Sequence, residues 1–219
     1  NEKMQAGKIP DAGVSNQIIL YVTSLMEMKS SMGIIVAAPT AGSCAAFPGA
    51  CCAVGDAMEQ CSDEDVAKAM LAGALIGVFV SHRSTFAAEE AGCQAECGAG
   101  SGMTAAAIAS LAGGTALQCI AAATMALQNS LGMVCDPVAN RVEVPCLGKN
   151  VMAAVNGLSC ANMALCDFDP VTTLDEVIEA MDEVGRKIPR EFRCTALGGL
   201  SICPSSKNIE KQLNSKSRN

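Results

Sequence analysis

Of the nineteen residues from Cys93 to Leu111, thirteen are Ala, Gly, Ser or Cys. It is too long for an ordinary strand and poor in the aromatic and β-branched residues that a sheet prefers, so it reads as a helix. Side chains this small let neighbouring helices approach closely. The rest of the chain agrees. There is no Trp, one Tyr and five Phe, against 12 Met and 20 Gly, and Met fills the irregular gaps between closely packed helices. With 50% of residues apolar and only 17% charged, a disordered chain is excluded. The 22 acidic residues outnumber the 15 basic ones, and no basic stripe stands out, which argues against a nucleic-acid partner. The longest strongly apolar run, Met70–Val80, is too short to span a bilayer, and no signal sequence opens the chain. The expectation is an all-α fold, a single compact helical domain with no membrane partner.

Helical spacing and caps divide the chain. Apolar residues recur at helical spacing over Val14–Met28. The run Gly33–Pro39 is short and apolar, and it could be strand or helix. Pro48 suits the first turn of a helix running toward Gln60. Ser62-Asp-Glu-Asp65 resembles a capping box and opens a helix to about Val80. The helix from the Cys93 region to Leu111 stops at Gly113-Gly114. Thr115-Ala-Leu-Gln118 caps another, which ends before Gly132. Residues 135–146 contain two prolines and no helical period, so they read as a loop. A helix follows over Asn150–Leu165, and Thr173-Leu-Asp-Glu176 caps a last strong one through Arg186. Residues 1–30 read as an N-terminal helix and linker, residues 31–203 as the main domain. Residues 204–219, polar and carrying Lys207, Lys211, Lys216 and Arg218, read as a solvated, fraying tail.

Thirteen cysteines is an odd number, and pairs such as Cys51-Cys52 sit inside apolar runs. A secreted disulfide scaffold lacks this much apolar sequence, so the compartment reads as reducing and cytoplasmic. No Cys-x-x-Cys pair exists, which removes zinc ribbons and ferredoxin spacing. The single histidine, His82, leaves no basis for a His-rich metal site or a Ser-His-Asp triad, and it reads as a helix-end residue. Three segments depart from the helical background: Ala37–Ser43, Ala91–Gly98, and Gly132–Val138 continuing to Glu143–Cys146. The last two place cysteines beside Gly or Pro in turn-like settings, where thiols can converge on a metal. Packing cysteines would give the same pattern.

These segments resemble the α chain of the iron–sulfur L-serine dehydratases (L-serine ammonia-lyases). The matching runs are Ser31-Met-Gly-Ile-Ile-Val-Ala-Ala-Pro-Thr-Ala-Gly-Ser43, Ala91-Gly-Cys-Gln-Ala-Glu-Cys-Gly98, and Leu131-Gly-Met-Val-Cys-Asp-Pro-Val-Ala-Asn-Arg-Val-Glu-Val-Pro-Cys146, followed by Asn150. A looser match continues through Ala196–Leu200, so the similarity runs from about Ser31 to Lys207. The resemblance implies that Cys93, Cys135 and Cys146 hold a [4Fe-4S] cluster. Three thiolates leave one iron open as a Lewis acid toward the hydroxyl and carboxylate of L-serine, which is converted to pyruvate and ammonia. Cys97 stands where the family usually has Val and reads as packing.

Thr40, Gly42 and Ser43 are candidates for binding the substrate carboxylate. Glu96, three residues after Cys93, would share a helix face with it and is the candidate base. Asp136 and Asn150 are candidates for supporting the ligand loops. Asn140 replaces the usual Gly after Asp-Pro-Val-Ala, and the Ser-His-Thr motif of the family's β part is absent. A separate β subunit or β domain, in an oligomer, is therefore expected. The same framework would also suit a lyase acting on L-cysteine or L-threonine, a non-catalytic assembly subunit, or an electron-transfer protein.

Overall fold

The computed structural model describes residues 1–216; Arg218 and Asn219, read above with the tail, lie outside the described residues. Ten α-helices follow one another: α1 (Glu2–Gln5), α2 (Val14–Ser30), α3 (Ala46–Ala57), α4 (Asp63–Arg83), α5 (Ala88–Ala91), α6 (Ala99–Leu111), α7 (Ala116–Gln128), α8 (Cys146–Leu165), α9 (Leu174–Lys187) and α10 (Pro204–Lys216). Among the described residues no strand forms. A lone parallel bridge joins Cys135 to Arg193.

The small-residue helix takes the centre. A helix that is apolar on every face has no side to offer water and must be surrounded. Every residue of α6 from Ala99 to Ala109 is buried, with α3, α4, α7 and α8 packed around it. Close approach is literal at Gly73 of α4, where an added Cβ would lie 2.4 Å from the Met103 carbonyl oxygen. One apolar core lies among α2, α3, α6, α7 and α8, and a second among α3, α4, α6, α7 and α9.

The capping boxes at Ser62, Thr115 and Thr173 all form, each with the reciprocal bond from the third helical residue. Other expectations need correction. Gly33–Pro39 is neither strand nor helix but an unpaired connection. Pro204–Lys216 is helical as α10, which is latched near its start: Ser206, fully buried, donates to the Ser201 carbonyl and accepts from the Ala139 N–H at 2.8 Å. The helix containing Met70–Val80 is longer than its apolar run, and by length and composition alone α4 could cross a bilayer. Its stripe of Ala69, Gly73, Ile76, Gly77 and Val80 is buried within the bundle, while Leu71, Leu75, Val78 and Phe79 stay exposed. His82 sits exposed in the last turn of α4, as expected of a helix-end residue.

Gly73→Val should destabilise the protein by about 1–3 kcal/mol, since a branched side chain is forced against main chain that cannot yield. A lower midpoint in urea unfolding checks this; an unchanged midpoint would mean that α4 and α6 are not in contact as described.

Candidate metal centre

The bundle brings three distant segments to one end. The first is the turn after α5. Gly92, with φ +73°, breaks that helix and sets up Cys93, which leads into a π-helical turn over Gln94–Gly98. A π-turn admits an extra residue per turn and re-aims its side chains relative to an α-helix, so simple three-residue spacing does not describe the relation of Glu96 to Cys93. The second is the loop holding Cys135. The third is the start of α8, where Cys146 is the first helical residue. Cys93, Cys135 and Cys146 are 1%, 4% and 6% exposed, and all thirteen cysteines are free thiols.

These three sulfurs meet. Cys93 and Cys135 pack in one small buried cluster with Cys194 against them, and Cys146 and Cys97 lie close enough to Cys93 to shift its titration. The neighbouring thiols, Cys135 foremost, hold Cys93 well below the usual thiol range. Its partners are pushed up, first by donating to Cys93 and then by burial. The Lys149 ammonium stands beside the nest, donating to the Val134 carbonyl at 2.6 Å and pairing with Asp136 at 3.4 Å. Burial alone would pull Lys149 down, but the Cys93 and Asp136 charges outweigh it and the net shift is upward. A fifth thiol, Cys194, hydrogen-bonds Cys135, and its N–H donates to the Cys135 carbonyl at 2.8 Å. Sequence reading passed over Lys149 and Cys194 and took Cys97 as packing. Cys97 had a signal in its four-residue spacing from Cys93; Cys194 had none, because a contact across the fold brings it in.

Two buried amides hold the segments together. Asn150 accepts from the N–H groups of Ala45 and Ala46 and donates to the carbonyls of Gly42 and Cys146, both at 2.9 Å. It thus ties the Thr40–Ser43 loop and the start of α3 to the Cys146 turn. Gln94 donates to Met181 and accepts from the Gly132 N–H, fastening the π-turn to α9 and to the Cys135 loop. Asp136 does more than begin a proline turn, since it accepts from the Leu200 N–H at 2.9 Å and so anchors the segment before α10.

The Thr40–Ser43 loop faces Glu96. Ser43 is fully buried, and its N–H donates to Thr40 Oγ1 at 3.2 Å. A Cβ on Gly42 would lie 2.7 Å from a Glu96 carboxyl oxygen, so only glycine lets the carboxyl settle there. Burial pushes Glu96 up to about 7, against the pull of a Thr40 hydrogen bond, and the charges of Cys93 and Glu89 push the same way.

Among the described residues, no three His, Cys, Asp or Glu side chains surround a point where a single metal ion would sit. The donor chemistry nevertheless suits an iron–sulfur cluster: soft thiols, buried, gathered from three segments, with a cation and a helix N-terminus to favour the thiolate form. Sulfurs in mutual hydrogen-bond contact must part to admit a group of that size.

An all-helical bundle with a buried nest of thiols at one end is thus the class of protein that the geometry defines. The chain belongs to the serine dehydratase alpha chain family, whose model matches residues 2–201. It is 39% identical over 215 residues to the probable L-serine dehydratase alpha chain of Bacillus subtilis, covering 96% of this chain and 71% of that one. It is 39% identical over 190 residues to the L-serine dehydratase alpha chain of Peptoniphilus asaccharolyticus, covering 86% and 64%. It is 34% identical over 190 residues to L-serine dehydratase 1 of Escherichia coli, of which it spans 42%.

Asn150→Ala should cost roughly 2–4 kcal/mol, because it strands buried N–H and carbonyl groups on two segments at once. Thermal melting checks this, and a loss within error of zero would contradict the linking role.

Proposed function

We propose that this chain is the α component of an iron–sulfur L-serine dehydratase, converting L-serine to pyruvate and ammonia in a reducing cytoplasm together with a β component. The observation that carries the reading is the meeting of Cys93, Cys135 and Cys146, from three separated family motifs, in one buried nest beside Glu96. The relatives called L-serine dehydratase without a chain designation are more than twice as long as the part matched here, which supports a second component.

In this reading the three thiolates hold a [4Fe-4S] cluster, which when bound supplies an open Lewis-acidic iron for the substrate hydroxyl. Glu96 is the base. Its carboxyl is tuned close to neutrality, so it can take the α-proton and give it up again. The Thr40 hydroxyl orients that carboxyl. Thr40, the Gly42 main chain and Ser43 form the wall that receives the substrate carboxylate. Asn150 and Asp136 keep the cysteine-bearing turns in place, and Lys149 balances the thiolate charge.

Cys135→Ala is expected to lose the visible absorbance of the reconstituted cluster and serine turnover together. A variant that keeps a full cluster refutes the ligand assignment. Glu96 works as a base only when ionised, and its ionised share grows with pH. Activity should therefore rise through about pH 7 and level off above it. Glu96→Gln should lower kcat by about 100- to 10,000-fold and remove that limb. A wild-type-like acid limb in this variant would assign the base elsewhere.

A further inference from the structure

One charged group next to this site has no partner among the described residues. Lys29, in the last turn of α2, turns its ammonium nitrogen into the interior, where it is out of solvent and makes no hydrogen bond with any described residue. Among the described residues, no carboxylate lies within ion-pair distance of it. Its charge is nevertheless felt by Glu96, on the π-turn, and by Cys44, at the entry to α3. The ammonium therefore sits by the same loop that carries Thr40, Gly42 and Ser43. A buried ammonium without a partner is costly, and native folds keep one where something pairs with it in use.

We propose that Lys29 is the cationic half of the substrate site, pairing with the carboxylate of an α-amino acid whose α-carbon faces Glu96. This deepens the serine lyase reading and rests on it. The pairing suits a zwitterion: a cation for the carboxylate, and a carboxyl group that can meet the α-ammonium or take the α-proton. Access is available through the chain itself. Among the described residues, Ile34–Ala37 make no main-chain hydrogen bonds, and Ile34 is 96% exposed. This strap links Lys29 to the Thr40–Ser43 loop, so it can shift without breaking a ladder.

The test uses the full chain and Lys29→Met and Lys29→Arg variants. Thermal melts are run with L-serine and with ethanolamine, which has the amine and hydroxyl but no carboxylate. L-serine should raise the melting temperature of the wild type and of Lys29→Arg, and leave Lys29→Met unmoved; ethanolamine should shift none of them. Without ligand, Lys29→Met should melt at or above the wild type, since it removes an unpaired buried charge. A serine shift that survives Lys29→Met, a wild type that serine does not shift, or a ligand-free Lys29→Met that melts below wild type would each overturn the assignment. In the cluster-loaded enzyme with its β component, Lys29→Met should raise KM for serine about 10- to 100-fold with kcat little changed, and an unchanged KM counts against it. Absence of serine turnover in every form would sink the lyase reading, while the melts still decide the role of Lys29.

Discussion

The carboxamide of Asn150 is the joint on which the site depends. It is fully buried in α8 and uses both ends: the oxygen gathers the first N–H groups of the segment entering α3, and the nitrogen reaches the carbonyls of Gly42 and Cys146. A loop and a helix start more than a hundred residues apart are thereby held within one side chain's reach. Gln94 performs the matching task on the other side, between the π-turn, α9 and the loop before Cys135. Polar groups this deep are tolerable only when satisfied, and satisfied groups fix position more sharply than apolar contacts do.

Around that joint the electrostatics are of one piece. Negative charge gathers on Cys93, and Lys149 answers it from beside Asp136. The same charge, added to burial, holds Glu96 near neutrality rather than in the ordinary carboxylate range. Lys29 opposes that upward shift. The cation is carried by α2, whereas the titrating carboxyl and Cys93 share the π-turn. The bundle supplies the rigidity for this, because α6 is packed on every side by main chain brought close through small residues.

Much of this was legible in advance. Capping boxes at Ser62, Thr115 and Thr173 are local chemistry, three residues long, and they mark their helices wherever the rest of the chain goes. The Cys93, Cys135 and Cys146 motifs were recognisable as runs of residues. Less legible were elements whose reasons lie elsewhere in the chain. α10 looks like a tail until Ser206 finds Ala139 and Ser201, and Gly33–Pro39, readable as strand or helix, is neither because no strand pairs with it and no helical bonds form along it.

The amino-acid sequence alone determined the helical class, most helix starts, and which cysteines carry the family's pattern, because propensity, caps and motifs act over a few residues. Tertiary structure alone decided that Cys97, Cys194 and Lys149 join the nest and that the Lys29 ammonium turns out of solvent with no partner among the described residues. Those are contacts between side chains far apart along the chain. Through-space distance, not spacing in sequence, sets whether two charges or two sulfurs interact.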